Sequence, residues 1–475
     1  MKILYVTSEA NPYAASGGLG DVMGALPITL ANQNPDAEVS VIMPLYGNMK
    51  PEHRKNLTWV TDIIFKLAWR DTGASVYKIQ NGRVTYYFLE NHQYFDRGRL
   101  YGEMDDGERF AFFSLAVVEF MLQYHYYPDI LHANDWQSAL SVIYLKTKFK
   151  QASALASVRT VFTIHNIEYQ GKFDSCVLGD VFGLDGFYDV VEYDGCVNLM
   201  KGALTVSDYI TTVSPNYAYE IHHDFFAFGL ADIVSSVSYK LSGVINGIDY
   251  GYFSPECGGD IYSPYGKDNV KEGKRENKLA LQREIGLPEA PDTPLVVMIT
   301  RLTATKGIDL VARIIDEFLN ENVQFALLGT GDAEYEAAFS ALEARHSNFK
   351  ALIKFDRVLS KKMYAAADIF CMPSKSEPCG LAQMISCSYG TVPVVRSVGG
   401  LYDSIKSYGE EGSNGFRFDN YNAHELLYTL KRAVSIYSSD KDEWDALVMR
   451  AKLSDFSWEI SAGKYMNIYD KMSKW

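Results

Sequence analysis

The chain has 475 residues, 47% of them apolar and 22% charged, with a formal net charge of −14 at pH 7. That length suffices for two or three domains with their own cores, and the composition is that of an ordinary soluble enzyme. The acidic balance argues against nucleic acid or an anionic membrane as the main partner, so any anionic ligand must be held by local positive groups. No run approaches the ~20 apolar residues of a membrane span. The start, Met1-Lys-Ile-Leu-Tyr-Val-Thr7, is too short and too soon polar for a signal peptide. The cysteines (Cys176, Cys196, Cys257, Cys371, Cys379, Cys387) show no C-x-x-C pairing, and several lie in apolar runs. They read as free thiols in a reducing compartment, with the cytoplasm as the default.

Taken in order, the elements alternate strand, turn and helix. Lys2 to Thr7 reads as a strand, Gly17-Gly-Leu-Gly20 as a glycine turn, and Val22 to Ala31 as a helix that Pro27 should kink or begin. Glu38 to Met43 is a second strand, and the Val/Tyr alternation up to Glu90 is that of a hairpin. Glu108 to Gln123 is a long apolar helix. Strands at Ile130–His132, Arg159–Ile164 and Tyr209–Val213 end at Asp135-Trp136, His165 and Ser214-Pro215 respectively. A polar Gly/Pro tract from about Pro255 to Gly273 reads as surface loop past a domain boundary. The alternation then restarts: strands at Leu295–Thr300, Val323–Leu328, Ala367–Cys371 and Val392–Arg396, each followed by a Gly-containing turn or a helix. Trp458, Ala462, Tyr465, Tyr469 and Met472 form the apolar stripe of a last helix. Two alternating halves of similar size predict an α/β protein of two Rossmann-like domains with a cleft between them.

Chemistry-bearing residues recur just past strand ends, where open parallel sheets place ligands. Arg301 and Lys306 are either two solvated loop charges or a diphosphate clamp, an Arg fork beside a Lys point charge. Gly18, in the glycine turn after the first strand, would let backbone approach a phosphate, and Asp21 is then either a helix cap or a ligand contact. His165, Asp135 and Trp136 line one sheet edge with groups that suit sugar hydroxyls and sugar faces. Glu377, between Ser376 and Pro378, is either the acid of a helix start or a carboxylate facing a reacting carbon, with Cys379, Gly380 and Leu381 offering free N–H groups. No metal-ligating motif is present, and Asp105-Asp106 with Glu108 reads as a solvated acidic helix start.

Several stretches together resemble bacterial glycogen and starch synthases: Glu377-Pro-Cys-Gly-Leu381, His165-Asn-Ile-Glu-Tyr-Gln-Gly171, Arg301-Leu-Thr-Ala-Thr-Lys-Gly307, Asn246-Gly-Ile-Asp249, Leu328-Gly-Thr-Gly-Asp332, Asp455-Phe-Ser-Trp458 and Tyr94-Phe-Asp-Arg97. The resemblance runs in order along essentially the whole chain. It implies the GT-B fold, with residues 1–245 as an acceptor-side catalytic domain, 246–455 as a nucleotide-sugar donor domain, and 456–475 as a helix packing back on the first. It implies a retaining glucosyltransferase that extends an α-1,4-glucan (glycogen, maltooligosaccharides) from ADP-glucose, with no metal or other cofactor and no nucleic-acid or membrane partner.

Carried over, Glu377 falls on the key active-site acid, His165 and Asp135 on catalytic positions near the transferred glucose, and Arg301, Lys306 and Gly18 on the diphosphate site. Asp21, Asn246, Phe355, Cys379, Gly380 and Leu381 fall on nucleotide- or glucose-contacting positions. The chain departs from the pattern at Ala15, where a Lys usually precedes Ser16-Gly17, and at Phe355 (usually Tyr), Ser376 (usually Phe) and Gln137 (usually His). The Ala15 departure leaves a UDP-glucose-using GT-B enzyme or a non-catalytic glucan-binding paralogue as alternatives.

Overall fold

Strands in the middle of a parallel sheet are covered by helices on both faces, so they are buried along their whole length. Ile130–Asn134 and Gln324–Leu328 show it, since all five residues of each are buried. The structure is a computed structural model that describes residues 1–256 and 259–474, so Cys257 lies outside the described residues. The chain forms two compact units, Met1–Gly247 with Trp458–Trp475, and Ile248–Ser457.

Unit 1 contains β1 (Lys2–Val6), β2 (Glu38–Pro44), β3 (Thr58–Leu67), β4 (Arg70–Asn81), β5 (Val84–Glu90), β6 (Ile130–Asn134), β7 (Arg159–Ile164), the short β8 (Lys172–Phe173), β9 (Glu192–Tyr193) and β10 (Cys196–Asn198), then β11 (Tyr209–Thr212) and β12 (Leu241–Gly243). Among the described residues the main sheet runs β12-β11-β7-β6-β1-β2-β5-β4-β3, while β8, β10 and β9 form a small sheet of their own. The main sheet is parallel as far as β5, and β4 and β3 continue it antiparallel as a long hairpin. β1 lies between β2 and β6, so the connections leave it toward opposite edges and a topological switch point opens there.

Unit 2 contains β13 (Leu295–Ile299), β14 (Gln324–Leu328), β15 (Phe349–Leu352), β16 (Ile369–Met372), β17 (Val392–Arg396) and β18 (Phe416–Phe418). All pair in parallel, in the order β15-β14-β13-β16-β17-β18. In chain order that is the 3-2-1-4-5-6 arrangement of doubly wound sheets, with its switch point between β13 and β16.

Three sequence expectations are corrected. The first helix spans Gly18–Gln33 rather than starting at Val22, because extended Gly17 is its N-cap, and Pro27 lies in its interior rather than its first turn. The tract from Pro255 is not surface loop throughout. Tyr265 is buried, its hydroxyl donating to the carbonyls of Ala365 (3.2 Å) and Tyr389 (2.8 Å), and a helix begins at Val270. The acidic start of helix Asp106–Gln123 is paired rather than solvated: Arg97 binds both oxygens of Asp105, and the fully buried Arg109 donates to Asp106 at 3.0 Å. Among the described residues no helix is long and apolar enough to cross a membrane.

The last helix, Trp458–Met472, buries its whole apolar stripe in unit 1, packed against helix Gly18–Gln33. A polar thread ties it to the sheet. The Tyr469 hydroxyl lies 2.9 Å from the Tyr5 hydroxyl and 2.7 Å from His132 Nδ1, and His132 Nε2 meets Thr163 Oγ1 at 2.5 Å. Burial pushes the His132 pKa down to about 3, so the ring is neutral and the thread carries no charge. Tyr469→Phe strips Tyr5 and His132 of a shared partner at once. It is expected to cost about 1–3 kcal/mol, the penalty of unsatisfied buried polar groups, and to lower the melting temperature by roughly 2–4 °C per kcal/mol. A thermal melt indistinguishable from the parent's would show that the thread contributes nothing.

Candidate active site

In unit 2 the loops after β13 and β16 approach so closely that only a missing side chain permits it. Gly307 has φ +73°, and a Cβ there would lie 2.1 Å from the Pro373 carbonyl oxygen. The Lys375 N–H donates to the Thr305 carbonyl at 3.0 Å and fastens the two loops together. As a result Lys306 Nζ sits 2.7 Å from Glu377 Oε2, and Ser374 Oγ donates to the same oxygen at 3.1 Å. Glu377 is buried, and its Oε1 has no hydrogen bond among the described residues. Desolvation strengthens this pair relative to a surface ion pair and makes either partner costly to leave alone.

The backbone beyond Glu377 is fixed from a third loop. Gly399 (φ +44°) would, with a Cβ, approach the Glu377 carbonyl oxygen to 2.0 Å, and the Gly400 N–H donates to the carbonyls of Glu377 (3.2 Å) and Pro378 (3.1 Å). Gln383 Nε2 donates to the carbonyls of Cys379 (3.1 Å) and Gly380 (3.0 Å). The N–H groups of Gly380 and Leu381 make no hydrogen bond among the described residues. The helix begins at Ala382 with Leu381 as its N-cap, so Ser376 is not a cap and Pro378 is not in a first turn. The helix-start reading of Glu377 therefore falls, and the acid belongs to a loop tied down by β13 and β17 connections. Arg301, one turn before Lys306, is exposed and forms no ion pair among the described residues. Phe355 stands apart on the loop after β15, 80% exposed, with the Arg357 guanidinium 5.8 Å from its ring centre.

In unit 1 the corresponding groups follow β1, β6 and β7. Asp135 is the first residue after β6 and has φ +57°, ψ +176°, a conformation costly for any side-chain-bearing residue. That backbone turns its Oδ1 onto the His165 N–H at 2.8 Å, across the end of β7. Burial pushes the Asp135 pKa up to about 7; the His165 and Asn166 N–H groups work against that shift, and the Glu9 charge adds to it. His165 Nε2 lies 2.9 Å from Asn134 Oδ1, and Asn134 Nδ2 donates to the Val6 and His132 carbonyls, so Oδ1 is the acceptor. Burial lowers the His165 pKa to about 3. The ring is therefore neutral, with its proton on Nε2 and Nδ1 left as an acceptor.

Glu9 was missed in the sequence. Its carboxylate accepts from the Ser16 N–H (2.5 Å), Ser16 Oγ (2.9 Å), the Gly17 N–H (3.1 Å) and the Tyr101 hydroxyl (2.6 Å). It thus shapes the turn that presents Gly18, where a Cβ would meet nothing within 4 Å. An acid just past an apolar strand was the available signal. Asp21 lies in the helix's first turn and accepts from Asn11 Nδ2 at 2.6 Å. Asn246, past β12, is buried with Oδ1 lacking a partner among the described residues. Beside these groups, Trp136, Glu168, Tyr169, Phe173 and Phe228 line an open trench of about 680 Å³. Among the described residues no group of His, Cys, Asp and Glu could hold a metal ion.

The Asp135 carboxyl carries a pH signature. A folded pKa of about 7 against an ordinary 3.8 makes its ionisation a cost to folding. The cost grows as pH rises from about 4 and is complete above about 7. Asp135→Asn keeps an acceptor for the His165 N–H, tolerates the positive φ and carries no charge. The variant is expected to melt above the parent at about pH 8 and to converge with it toward about pH 4. A difference that does not change with pH would reject the desolvated carboxylate.

Comparison with known proteins fits this geometry. Residues 2–236 match the starch synthase catalytic domain family and residues 283–443 the glycosyl transferases group 1 family. A glycogen synthase of Geobacillus thermodenitrificans (strain NG80-2) is 42% identical over 480 residues, spanning 100% of this chain and 98% of the relative. One of Clostridium beijerinckii (strain ATCC 51743 / NCIMB 8052) is 44% identical over 481 residues, spanning 100% and 99%. The catalytic domain of starch synthase IV from Arabidopsis thaliana, solved bound to ADP and acarbose, superposes with a TM-score of 0.89 at 33% identity over 100% of this chain and 99% of that one. Sucrose-phosphate synthase from Thermosynechococcus elongatus (TM-score 0.62, 16% identity, 99% and 98% covered) shares the fold alone. The chain belongs to the glycogen and starch synthase family of GT-B glycosyltransferases.

Proposed function

We propose that the protein transfers glucose from ADP-glucose to the non-reducing end of an α-1,4-glucan, with retention of configuration. The observation that carries the reading is the Lys306–Glu377 pair, 2.7 Å apart at the β13/β16 switch point with Ser374 on the same oxygen. A buried acid locked to a cation there suits a reaction in which positive charge grows on a sugar carbon while negative charge grows on a leaving phosphate.

As the diphosphate departs, the anomeric carbon becomes oxocarbenium-like. Lys306, the unpaired Arg301 and the N–H groups of Gly380, Leu381 and Gly18 are the groups that meet the leaving charge. Glu377 faces the carbon side, where its carboxylate offsets the developing cation. In a retaining transfer of this kind the acceptor hydroxyl attacks from the face the phosphate leaves, and the phosphate takes its proton. Neutral His165 accepts a glucose hydroxyl at Nδ1, and Asp135, held by the His165 N–H, takes another. Asp21 and Asn246, with its unpartnered Oδ1, serve the donor, and exposed Phe355 offers a stacking face to the base. The Trp136–Tyr169–Phe173 trench suits the glucan acceptor. No metal or cofactor is invoked. Buried Cys371, its thiol pushed up to about 12 by burial, and buried Cys387 support a cytoplasmic, reducing setting.

A second reading concerns the donor. Ala15 is exposed beside the Gly17 turn, where the family pattern carries Lys, so the turn lacks a cation facing the phosphates. Incubation with glycogen and either ADP-glucose or UDP-glucose, with release of nucleoside diphosphate as the readout, tests both. ADP-glucose is expected to turn over faster; release from neither donor would refute the transferase, and faster release from UDP-glucose would overturn the donor assignment. Glu377→Ala is expected to lower kcat about 10²-fold or more while donor KM moves only a few-fold, and an equal kcat would remove Glu377 from the chemistry. Ala15→Lys is expected to lower the donor KM several-fold, the gain of one charge-assisted phosphate contact. An unchanged KM would show that the missing cation is made up elsewhere.

A further inference from the structure

Trp69 lies in the turn between β3 and β4, and 68% of it is exposed. Large exposed aromatics are common enough singly. This one is held in place by two neighbours. Its Nε1–H donates to Asp180 Oδ1 at 2.6 Å, and the Arg70 guanidinium lies over the ring, 4.6 Å from its centre. Arg70 is itself anchored, donating to the Asp180 carbonyl at 2.6 Å and pairing with Glu108 at 3.5 Å, and Glu108 accepts from the Tyr94 hydroxyl at 2.6 Å. The turn beneath is seated as well: Ala68, at φ +52°, rests on Gly183, where a Cβ would come within 3.2 Å of the Ala68 backbone. The indole is thus fixed in direction, with its polar atom satisfied and one face backed by a cation.

The support of the ring leads to the trench. Asp180, which holds Trp69, is two residues from Phe182, whose buried ring meets Phe173 edge-on with centroids 5.5 Å apart. Phe173 lines the trench and packs on Trp136 at 5.8 Å. The surroundings of Trp69 are charged rather than apolar: Asp180 at the indole N–H, Arg70 over one face, and Lys66 and Asp71 paired at 3.4 Å on the flanking strands. A single ring with a charged rim is too small and too polar for a stable protein interface. It suits a pyranose, whose apolar C–H face lies on the negative π face while its hydroxyls meet the rim. A platform already ordered also spares the ligand the entropy of ordering it.

We propose that Trp69 is a remote glucan-stacking site, which holds the far part of a long α-glucan acceptor whose near part lies in the Trp136–Phe173 trench. The proposal rests on the glucan acceptor named above. Trp69 does not touch the reacting atoms; it sets the preference for long chains over short ones.

The test uses the full-length protein. Trp69→Ala is expected to leave kcat, donor KM and the KM for maltotriose at parental values and to raise the KM for glycogen about ten-fold. Trp69→Phe, which keeps a ring, is expected to recover most of that loss. Electrophoresis through a gel containing glycogen reads binding without turnover: the parent is retarded and Trp69→Ala less so, while circular dichroism confirms that both are folded. Equal retardation, or an equal glycogen KM in the two proteins, overturns the platform. Trp69-dependent retardation in a parent that transfers no glucose from either donor would instead sink the transferase reading and leave the platform standing.

Discussion

A parallel sheet offers one place where two neighbouring strands send their connections apart, and both units place their candidate site residues there. In unit 1 the gap lies between β1, which leads to Glu9 and Gly18, and β6, which leads to Asp135. In unit 2 it lies between β13, which leads to Arg301 and Lys306, and β16, which leads to Glu377. Loops at a switch point diverge around a crevice that neither helix layer fills, so polar groups there can be desolvated without being covered. That is the constraint behind the 2.7 Å Lys306–Glu377 pair. The two residues are far apart in sequence and meet only because their strands are adjacent and their loops touch through Gly307.

The electrostatics follow from that burial. An acid and a cation in a partly dry site attract strongly, and each alone would be expensive. In the proposed reaction the donor diphosphate would compete for Lys306 with the acid already holding it. Arg301, exposed and without an ion pair among the described residues, would be available to that diphosphate, and Ser374 also holds Glu377 Oε2. Unit 1 works by different means. Its acid, Asp135, has no cation partner among the described residues; it is held by backbone N–H groups in a strained conformation and is pushed toward neutrality.

Much of this was legible in the sequence, for stated physical reasons. Buried parallel strands are short apolar runs bounded by turns, so β7 and β17 could be placed to the residue. The residues just past strand ends could be picked out as candidates because open parallel sheets place ligands there. What could not be read was anything decided by contact between distant loops. Ser376 and Pro378 imitate a helix start, and only the ties from Gly400 and Gln383 show that the chain there is a braced loop. Glu9 gave only a weak signal, because an acid after a strand has no distinguishing neighbours until the Gly17 turn folds onto it. Tyr265 was lost among glycines and prolines, since local composition says loop while the ring's partners, Ala365 and Tyr389, lie about a hundred residues on.

Strain and desolvation at Asp135 must be offset elsewhere, and the surrounding structure shows where. β6, which delivers Asp135, is buried along its whole length, and its middle residue His132 is tied through Tyr469 to the last helix of the chain. Asn134, the residue just before the strained one, is bonded on three sides, to the Ser138 hydroxyl, the Val6 carbonyl and the His165 ring. A left-handed φ at a residue with a side chain persists only when its neighbours leave no alternative. The C-terminal helix is in this sense tied to the candidate site: through Tyr469 it meets Tyr5 of β1 and His132 of β6, the strand that ends at Asp135.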